Sequence, residues 1–377
     1  MEIKHIVVIF FACLTFTQGQ QCNDNRYVLS ENYRKQDLPP SNGTPVQLSS
    51  SINLRNILNV DEKKQEISVE ITFRLYWTDS RIEPIQKYLS GSDVRGRYIP
   101  LASTSGECFW MPDIFIDQAI KLRTPTYYTK PASLRIYQSR MLRFSKRINF
   151  DVACNMNFHR FPVDQQDCVI RFESFDFTRK HMEISWRPQS EMTINPNISL
   201  TQFISNISLR TYHTVYYEQD YPGIILNIHL HREITYHLFR SYFPSIMFVG
   251  ISWLSLFLPP EYVPGRVLMF MTALLSLVSM DSSVQQTMPQ VNYLTLLDIW
   301  MVICMLFVFI CILESILVTF LIRIEKQSYA VKAELTCRIC IALFFVIFFL
   351  IYWLFIVPQY CLGECWSSYF YRKKTSL

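Results

Sequence analysis

Alternating apolar and polar positions dominate the chain between residues 45 and 235. Within residues 67–75 every odd position is apolar and every even position is polar, and residues 46–55 and 142–152 alternate in a similar way. A period of two is typical of strands that bury one face. Many short strands with turn residues between them predict a β-sandwich, and parallel α/β units are not visible.

Four apolar segments follow the alternating part of the chain. Each is long enough, or nearly so, to cross a hydrocarbon core of roughly 30 Å as a helix. The predicted membrane spans are residues 241–258, 267–284, 299–322 and 339–357.

The ends of the chain indicate how these parts are arranged across a membrane. Residues 1–19 join Lys4 to an apolar run that ends in small residues, which is typical of a cleaved secretory signal. Residues 20–236 are then an extracellular β-sandwich, and residues 237–377 form a multi-pass domain of the plasma membrane with both termini outside the cell. Basic residues of the very short connection at 323–338 lie on the cytoplasmic side in this topology, as the positive-inside rule requires.

Composition narrows the classes of function. The chain has 377 residues, half of them hydrophobic, and its net charge of +5 does not form the basic patch that nucleic acid needs. No nucleophile, base and orienting group stand together and no metal-ligand triad is visible, so we expect neither an enzyme nor a cofactor or resident metal. Three glycosylation sequons suit an extracellular domain, at Asn42, Asn197 and Asn206.

Eleven cysteines are spread along the chain without zinc-finger spacing. Four lie in or beside the predicted spans and are expected to be free thiols, namely Cys304, Cys311, Cys337 and Cys340. The residues alone leave the pairing of others open, namely Cys22, Cys108, Cys361 and Cys365.

Cys154 and Cys168 bracket thirteen residues that contain Phe161-Pro162-Val163-Asp164, and we call residues 154–168 the finger. If oxidised, a loop of this size removes about 3 kcal/mol of unfolded-state entropy, although an ordinary disulfide of a secreted domain is an alternative reading. Such a finger followed by four spans resembles the Cys-loop ligand-gated ion channels, over nearly the whole chain after the signal. The resemblance implies that the two cysteines are bonded and that the finger lies against residues 285–294 and near Arg232.

The second span carries a partly hydroxylated stripe. Steps of four, three, four and three place on one helix face Leu268, Thr272, Leu275, Ser279 and Ser282. A polar face at membrane depth is costly unless it meets water or protein, so a pore wall and a helix–helix seam are both open readings.

The residues just before this stripe carry a more specific resemblance. Pro264-Gly265-Arg266-Val267 is similar to the Pro-Ala-Arg-Val signature of the anion-selective branch of the family, which contains the glycine-, GABA- and glutamate-gated chloride channels. The resemblance implies a pentameric chloride channel with a ring of Arg266 charges at its inner mouth. It also implies that Leu275 is the hydrophobic gate, with Leu268 as an unusually bulky residue nearer the inner end.

Two stretches resemble the family's principal binding face, where aromatic side chains attract a cation. They are residues 173–177 and 216–221, which match the second and third binding loops. Trp110, in a Trp-x-Pro-Asp sequence, matches the first loop, and there we expect a structural role. The resemblance assigns to this face Glu173, Ser174, Phe175, Tyr216, Glu218 and Tyr221.

The opposite face, which a neighbouring subunit supplies in this family, is matched on the polar faces of strands. Arg74 matches the carboxylate-binding arginine of glycine, GABA and glutamate receptors, and Arg55 matches a second arginine typical of glutamate-gated chloride channels. Ser145 matches their hydroxyl contact. A guanidinium fork suits carboxylate geometry, although a solvated strand face is the alternative for either arginine. Thr72 stands where many relatives carry an aromatic residue, and the acidic Glu218 favours an amine.

These features predict a subunit of a homo- or hetero-pentamer, invertebrate-like in the very short connection between its third and fourth spans. Its expected partners are a small-molecule agonist, chloride ions and membrane lipid, and the agonist is expected to be a small zwitterion. The alternatives are an amine-, pH- or metal-gated channel of the same family, or a non-conducting accessory subunit. His229 and His231 share one strand face and are candidates for zinc or proton binding, or for a merely solvated surface.

Overall fold

The computed structural model describes residues 24–41, 43–124, 131–188, 192–196, 198 and 200–356. Several positions singled out by the sequence lie outside the described residues: the signal segment, Cys22, Asn42, Asn197, Cys361 and Cys365. In the described chain, all strands lie before residue 233, together with two short 3-10 turns and the loops that connect them. Helices begin at residue 235. This division follows the change of hydrophobic period along the sequence.

Strands of the described chain form two large sheets and a small two-stranded one. They are β1 (Tyr27–Leu29), β2 (Val46–Asp61), β3 (Glu66–Thr78), β4 (Ile82–Pro84), β5 (Gly91–Asp93), β6 (Gly96–Leu101), β7 (Ile114–Ile116), β8 (Ala119–Arg123), β9 (Ala132–Tyr137), β10 (Met141–Ala153), β11 (Gln165–Ser174), β12 (Met182–Trp186), β13 (Thr193–Ile194), β14 (Phe203–Tyr216) and β15 (Gln219–Arg232). The first sheet runs β12-β2-β3-β10-β9-β6-β5, with β13 beside β2 and β8 beside β10. The second runs β14-β15-β11-β7, and β1 pairs with β4.

The two large sheets face each other across an apolar core, which confirms the predicted sandwich. On β3 the side chains of Ile67, Val69 and Ile71 are fully buried, as their alternation predicts. Phe73 of the same strand stacks on Phe172 of β11, with ring centroids 4.8 Å apart, and so joins one sheet to the other. Each buried aliphatic side chain of this kind contributes about 1.5–3 kcal/mol to folding.

Four long helices follow the sheets: α1 (Phe243–Ser255), α2 (Val263–Gln285), α3 (Leu296–Arg323) and α4 (Gln327–Ile351). A helical turn at Thr235–His237 and a π turn at Leu238–Tyr242 lead into α1 without a break. The helical segments of the described chain that are both long and apolar enough to cross a membrane are Val263–Gln285, Leu296–Arg323 and Gln327–Leu354. α1 becomes a longer helical stretch only together with the turns that precede it.

The helix ends differ from the spans that hydropathy predicts. α4 begins at Gln327 rather than at residue 339, so most of the segment predicted as a connection is helical. Good helix formers such as Ala330 and Glu334 sustain this polar first part of the helix, where an apolar run is absent. The connection between α3 and α4 therefore shrinks to residues 324–326.

Trp300 of α3 lies at the centre of the helical part and is fully buried. Its indole N–H donates to the Ser245 hydroxyl of α1 at 2.8 Å. Close by, the hydroxyl groups of Tyr242 and Tyr352 are hydrogen-bonded at 2.7 Å. Because buried polar groups are costly unless they are paired, these bonds orient α1, α3 and the end of α4 relative to one another.

Candidate functional site

The finger is closed by a disulfide between Cys154 and Cys168, whose Cα atoms lie 5.0 Å apart. The bond that the family resemblance implies is thus confirmed, and it links the end of β10 in one sheet to β11 in the other. Phe158 and Phe161 at the finger's apolar tip are buried. The finger is therefore packed against the rest of the chain and does not project into solvent.

The other cysteines and the remaining sequon divide as follows. Cys108 is disulfide-bonded, and its partner lies outside the described residues. Asn206 is exposed on β14, where a glycan would meet solvent. The thiols within α3 and α4 are free, as expected, at Cys304, Cys311, Cys337 and Cys340.

A buried cluster of charges lies where the finger meets the end of β15. Arg232 donates from Nε to Asp164 Oδ1 at 2.6 Å, and both side chains are only 1% exposed. The same guanidinium donates to both carboxylate oxygens of Glu62, at 2.9 and 2.8 Å. Its carbon lies over the rings of Phe161 and Phe203, at 4.8 and 4.6 Å. Sequence reasoning found Asp164 and Arg232 but missed Glu62, which lies 170 residues away from the arginine.

The finger also touches the segment between α2 and α3. The Phe158 N–H donates to the Tyr293 hydroxyl at 3.0 Å, and the His159 ring stacks on the Tyr293 ring at 3.6 Å. The Leu297 N–H, at the start of α3, donates to the Phe161 carbonyl at 3.1 Å. The structure therefore places the finger against the segment that leads out of α2, as expected from the sequence.

The stripe on α2 faces away from the other helices of the chain. Its members are exposed, namely Leu268, Thr272, Leu275, Ser279 and Ser282. On the opposite side of α2, Phe270, Ala273 and Leu277 are buried against the bundle. Thr272 donates its hydroxyl proton to carbonyls of its own helix and not to another helix. The alternative of a helix–helix seam is thus not realised within one subunit, and the stripe remains available to line a pore.

Arg266 lies on the bundle side of α2. Pro264 and Gly265 are exposed, whereas Arg266 is 1% exposed and its guanidinium points into the bundle. There it donates to the Leu258 carbonyl at 3.0 Å and to Glu334 Oε1 of α4 at 2.6 Å. A ring of five Arg266 charges belongs to the assembled pentamer, so the charge-ring prediction stays a prediction. The carbonyls beyond α1 and the Glu334 carboxylate offer acceptors that the stripe does not.

Two of the aromatic residues predicted for the principal binding face, Tyr216 and Tyr221, lie together at the tip of the β14–β15 hairpin. The Tyr216 and Tyr221 ring centroids are 6.0 Å apart. Between these strands, Tyr217 and Glu218 have φ of 47° and 66°, the left-handed conformation of a two-residue type I′ turn. Glu218 is exposed at this turn. Phe175, the third aromatic residue predicted for this face, is 76% exposed and lies edge-on to the ring of Phe115. The sequence did not single out Phe115.

Glu173 supplies a buried carboxylate beneath these aromatic residues. It is 2% exposed and accepts hydrogen bonds from the hydroxyl groups of Tyr212 and Thr214. Its second oxygen, Oε2, is buried and has no hydrogen-bond partner among the described residues. The charge of Glu173 is the main cause that raises the pKa of Tyr216, so the exposed tyrosine lies within its field. One carboxylate oxygen is thus buried and unpaired within the described part of the chain.

Ser174 and Trp110 hold this face in place. The Ser174 hydroxyl donates to Asp113 Oδ1 at 2.9 Å and accepts from the Phe177 N–H at 3.0 Å. Trp110 is buried edge-on to Trp77, with ring centroids 6.2 Å apart, in agreement with the structural role expected of it. The Ser174 hydroxyl, predicted to bind ligand, is thus already engaged within the protein.

The residues predicted for the opposite face lie on neighbouring strands of the first sheet. Arg74 of β3 and Ser145 of β10 are directly opposite each other in the strand register. Burial lowers the pKa of Arg74, and the nearby Arg143 guanidinium lowers it further. Arg74 Nε is buried without a hydrogen-bond partner among the described residues. A positively charged group of this kind would be stabilised by an added anion.

Arg55 is held by a hydrogen bond to Thr72, the residue that departs from the pattern of the resembled family. Its Nε donates to the Thr72 hydroxyl at 2.7 Å, so Thr72 acts as the partner of an exposed guanidinium. Near this arginine-rich face, Asp93 accepts a hydrogen bond from the Tyr137 hydroxyl at 2.7 Å and lies 3.2 Å from Arg135. Sequence reasoning missed this counter-charge, because no pattern in the sequence joins residues so far apart.

The two histidines are not equivalent. His229 Nδ1 lies 2.5 Å from Asp167 Oδ1, and its Nε2 is hydrogen-bonded to the Ser208 hydroxyl at 3.0 Å. His231 is two residues along the same strand and faces Gln165 of β11. Within the described part of the chain no three histidine, cysteine or acidic side chains are grouped so that they could hold a metal ion.

Comparison with known proteins bears on both halves of the chain. A family model described as the neurotransmitter-gated ion-channel ligand binding domain matches residues 26–238, and one described as the neurotransmitter-gated ion-channel transmembrane region matches residues 241–344. The chain is similar to a glutamate-gated chloride channel of Drosophila melanogaster, with 30% identity over 285 residues that cover 75% of this chain. The match spans 61% of that relative's length. These models describe ion channels, in agreement with the expectation of a channel and not an enzyme.

Proposed function

Because the chain belongs to the neurotransmitter-gated ion-channel family, we propose that five subunits form an anion channel in the plasma membrane, opened by a small extracellular ligand. The observation that carries this proposal is the exposed stripe on α2, with Leu275 at 67% exposure between hydroxylated residues. Hydroxyl groups at membrane depth need water or protein. A pore at the centre of a pentamer supplies that water, and a narrow ring of leucines closes such a pore by dewetting.

Anion selectivity is supported by the charges around the first turn of α2. No carboxylate stands at Gly265, and Arg266 shares the single carboxylate of Glu334 with Arg338, at 2.6 Å from each. These three groups together are positive, which favours anions at this end of the pore. The similarity to a chloride channel points in the same direction.

For the agonist we propose a small zwitterion bound between two subunits. Its amine would lie against Tyr216 and Tyr221 and reach the free oxygen of Glu173. Its carboxylate would meet Arg74 beside Ser145 on the neighbouring subunit, where a buried guanidinium nitrogen lacks a partner. This description covers the amino-acid transmitters, including the glutamate that opens the similar Drosophila channel.

Two exposed residues, Arg55 and Glu218, bear on whether the agonist carries a second carboxylate. Arg55 lies on β2, beside β3 with Arg74, and would take a second carboxylate if the agonist has one. Glu218 sits on the exposed turn rather than in the wall formed by the tyrosines, so its charge does not exclude an acidic ligand. Arg55 therefore favours glutamate over glycine or GABA, and the position of Glu218 is compatible with that choice.

The channel itself is tested by expressing the chain alone in oocytes and screening glutamate, glycine, GABA, carboxylate-free amines, acid and zinc. We expect an agonist-evoked current whose reversal potential follows the chloride gradient and ignores sodium. A current carried by sodium would overturn the anion channel. If no current appears although the protein reaches the surface, the accessory-subunit alternative takes its place.

The agonist site is tested by comparing Arg74→Ala and Arg55→Ala, with Arg210→Ala as a control on an exposed position of β14. Losing a charged hydrogen bond costs about 1.5–3 kcal/mol, so Arg74→Ala should weaken the agonist roughly ten- to a hundredfold. Arg55→Ala should match it only for a dicarboxylic agonist, and the control should change little. A channel that answers to a carboxylate-free amine with unchanged sensitivity in Arg74→Ala would refute this site but not the channel.

A further inference from the structure

Arg266 is held on the bundle side of α2 by groups from two other parts of the chain. Its Nε and Nη2 donate to the carbonyls of Leu258 and Leu256, just beyond α1, at 3.0 and 3.1 Å. Its Nη2 also donates to Glu334 Oε1 at 2.6 Å. α4 packs chiefly against α3 and scarcely touches α2 elsewhere. The ion pair therefore reaches from the helix that carries the stripe to the outlying fourth helix.

The same carboxylate oxygen of Glu334 also forms an ion pair with a second guanidinium. Arg338, one helical turn further along α4, forms an ion pair with Glu334 Oε1 at 2.6 Å and lies over the Phe257 ring at 4.9 Å. Arg266 is 1% exposed, Glu334 10% and Arg338 23%, measured on the side chains. A buried charge is costly unless it is paired. The Glu334 carboxylate therefore stabilises the Arg266 guanidinium in its buried position.

We propose that Glu334 is a positioning residue for ion permeation, which keeps the Arg266 guanidinium behind the wall of the pore and offsets part of its charge. This inference rests on the proposed anion channel. Among these three groups, two guanidinium groups and one carboxylate leave one net positive charge per subunit, and the nearby carboxyl group of Glu314 offsets no more than one charge. Passing ions meet that net charge through the wall and not a ring of free arginine side chains.

The charge balance predicts opposite effects for the two partners of this ion pair. Glu334→Gln raises the local charge to two and frees Arg266, so chloride should be attracted more strongly. Arg338→Gln lowers the local charge to zero and should have the reverse effect. Glu314, a buried carboxylate near Arg266, is unchanged in both variants. For five charges behind the wall of the pore, screened by water and salt, we expect roughly a two- to fourfold change in chloride conductance.

The experiment measures single-channel chloride conductance in full-length channels, opened by the compound that the screen above selects, with glutamate as the first probe. Four variants are compared with the wild type: Glu334→Gln, Arg338→Gln, the double variant, and Glu325→Gln as a control. Glu325 is an exposed carboxylate in the connection between α3 and α4 and makes no ion pair with Arg266. Glu334→Gln should raise the conductance, Arg338→Gln should lower it, and the double variant should return near the wild type. The control should change it less than Glu334→Gln does.

These outcomes separate electrostatics from damage to the fold. A general loss of packing would lower the conductance in both single variants and further in the double variant, and that result would overturn the inference. If the wild type is chloride-selective and the variants leave its conductance unchanged, the inference is also overturned. An equal increase in Glu325→Gln would overturn it as well. If Glu334→Gln does not reach the surface, the comparison of Arg338→Gln with Arg338→Lys decides the question, because lysine keeps the charge and should leave the conductance near the wild type, whereas a packing defect would lower it in both. A wild-type channel that carries sodium overturns the proposed function and this inference together.

Discussion

Replacing Asp164 by asparagine removes the negative charge that faces Arg232 where the finger meets the end of β15. The two side chains are each 1% exposed and are joined at 2.6 Å, with a second hydrogen bond of 3.1 Å. Asparagine keeps the size of the side chain, so packing around Phe161 should survive. The variant therefore isolates the contribution of charge.

The magnitude follows from burial. Breaking a buried ion pair by removing one partner costs about 3–5 kcal/mol, because the other charge stays buried. Here Glu62 remains bonded to Arg232 through two nitrogens, so we expect the lower end, about 3 kcal/mol. For a domain of this size, 1 kcal/mol shifts Tm by about 2–4 °C, which predicts a loss of about 6–12 °C.

The assay is thermal unfolding of the detergent-purified channel, followed by intrinsic fluorescence. Asp61→Asn is the matched control, since Asp61 lies beside Glu62 but pairs with the exposed Lys64. Exposed ion pairs contribute little, so the control should stay within about 2 °C of the wild type. If Asp164→Asn unfolds at the temperature of the control, the buried pair does not stabilise this region and the reasoning is wrong.

Four further outcomes are expected from single substitutions. Leu275→Ser should wet the gate and raise the resting current without agonist, and an unchanged resting current at equal surface expression would argue against Leu275 as the gate. Glu173→Gln should weaken the agonist about tenfold or more in a concentration–response curve, whereas equal sensitivity would place the amine elsewhere. Tyr293→Phe leaves the Phe158 N–H unpaired and should cost about 1–3 kcal/mol in thermal unfolding, while Tm equal to the wild type would mean that this bond contributes nothing. The pKa of Asp93 is lowered, because hydrogen bonds from a hydroxyl and a backbone N–H together with nearby arginines outweigh burial, so its stabilising effect is present above the unfolded pKa of about 3.9 and disappears as pH falls through the folded value. Asp93→Asn should therefore flatten the dependence of Tm on pH in acid, and an unaltered slope would contradict this assignment.

Much of the fold follows from hydrophobic periodicity. The apolar side chains Ile67, Val69 and Ile71 are predicted by alternation and are fully buried in the structure. The sequence also indicates which residues of α2 share an exposed face, since helical spacing alone places Leu275 and Thr272 on one side. These are local properties, and a single sequence contains them.

The direction of a charged side chain depends on distant partners, and the sequence does not reveal those. Arg266 turns into the bundle because Glu334, 68 residues away, offers a carboxylate there. The resemblance marks Thr72 as a departure from the pattern of the resembled family, but only the folded chain makes it the hydrogen-bond partner of Arg55. Hydrophobic periodicity also fails to predict where α4 begins. The first turns of this helix are polar, and helix propensity and packing stabilise them in the absence of an apolar run.

The short link between α3 and α4 has a consequence for the path of an ion. Only residues 324–326 separate the two helices, too few to build any structure below the membrane. In the proposed channel, an ion that passes the first turn of α2 therefore meets no vestibule or side windows made from this link. The helix ends are the last charged part of the chain on its path at this end, so charge changes at the helix ends should alter the conductance more than changes in the link.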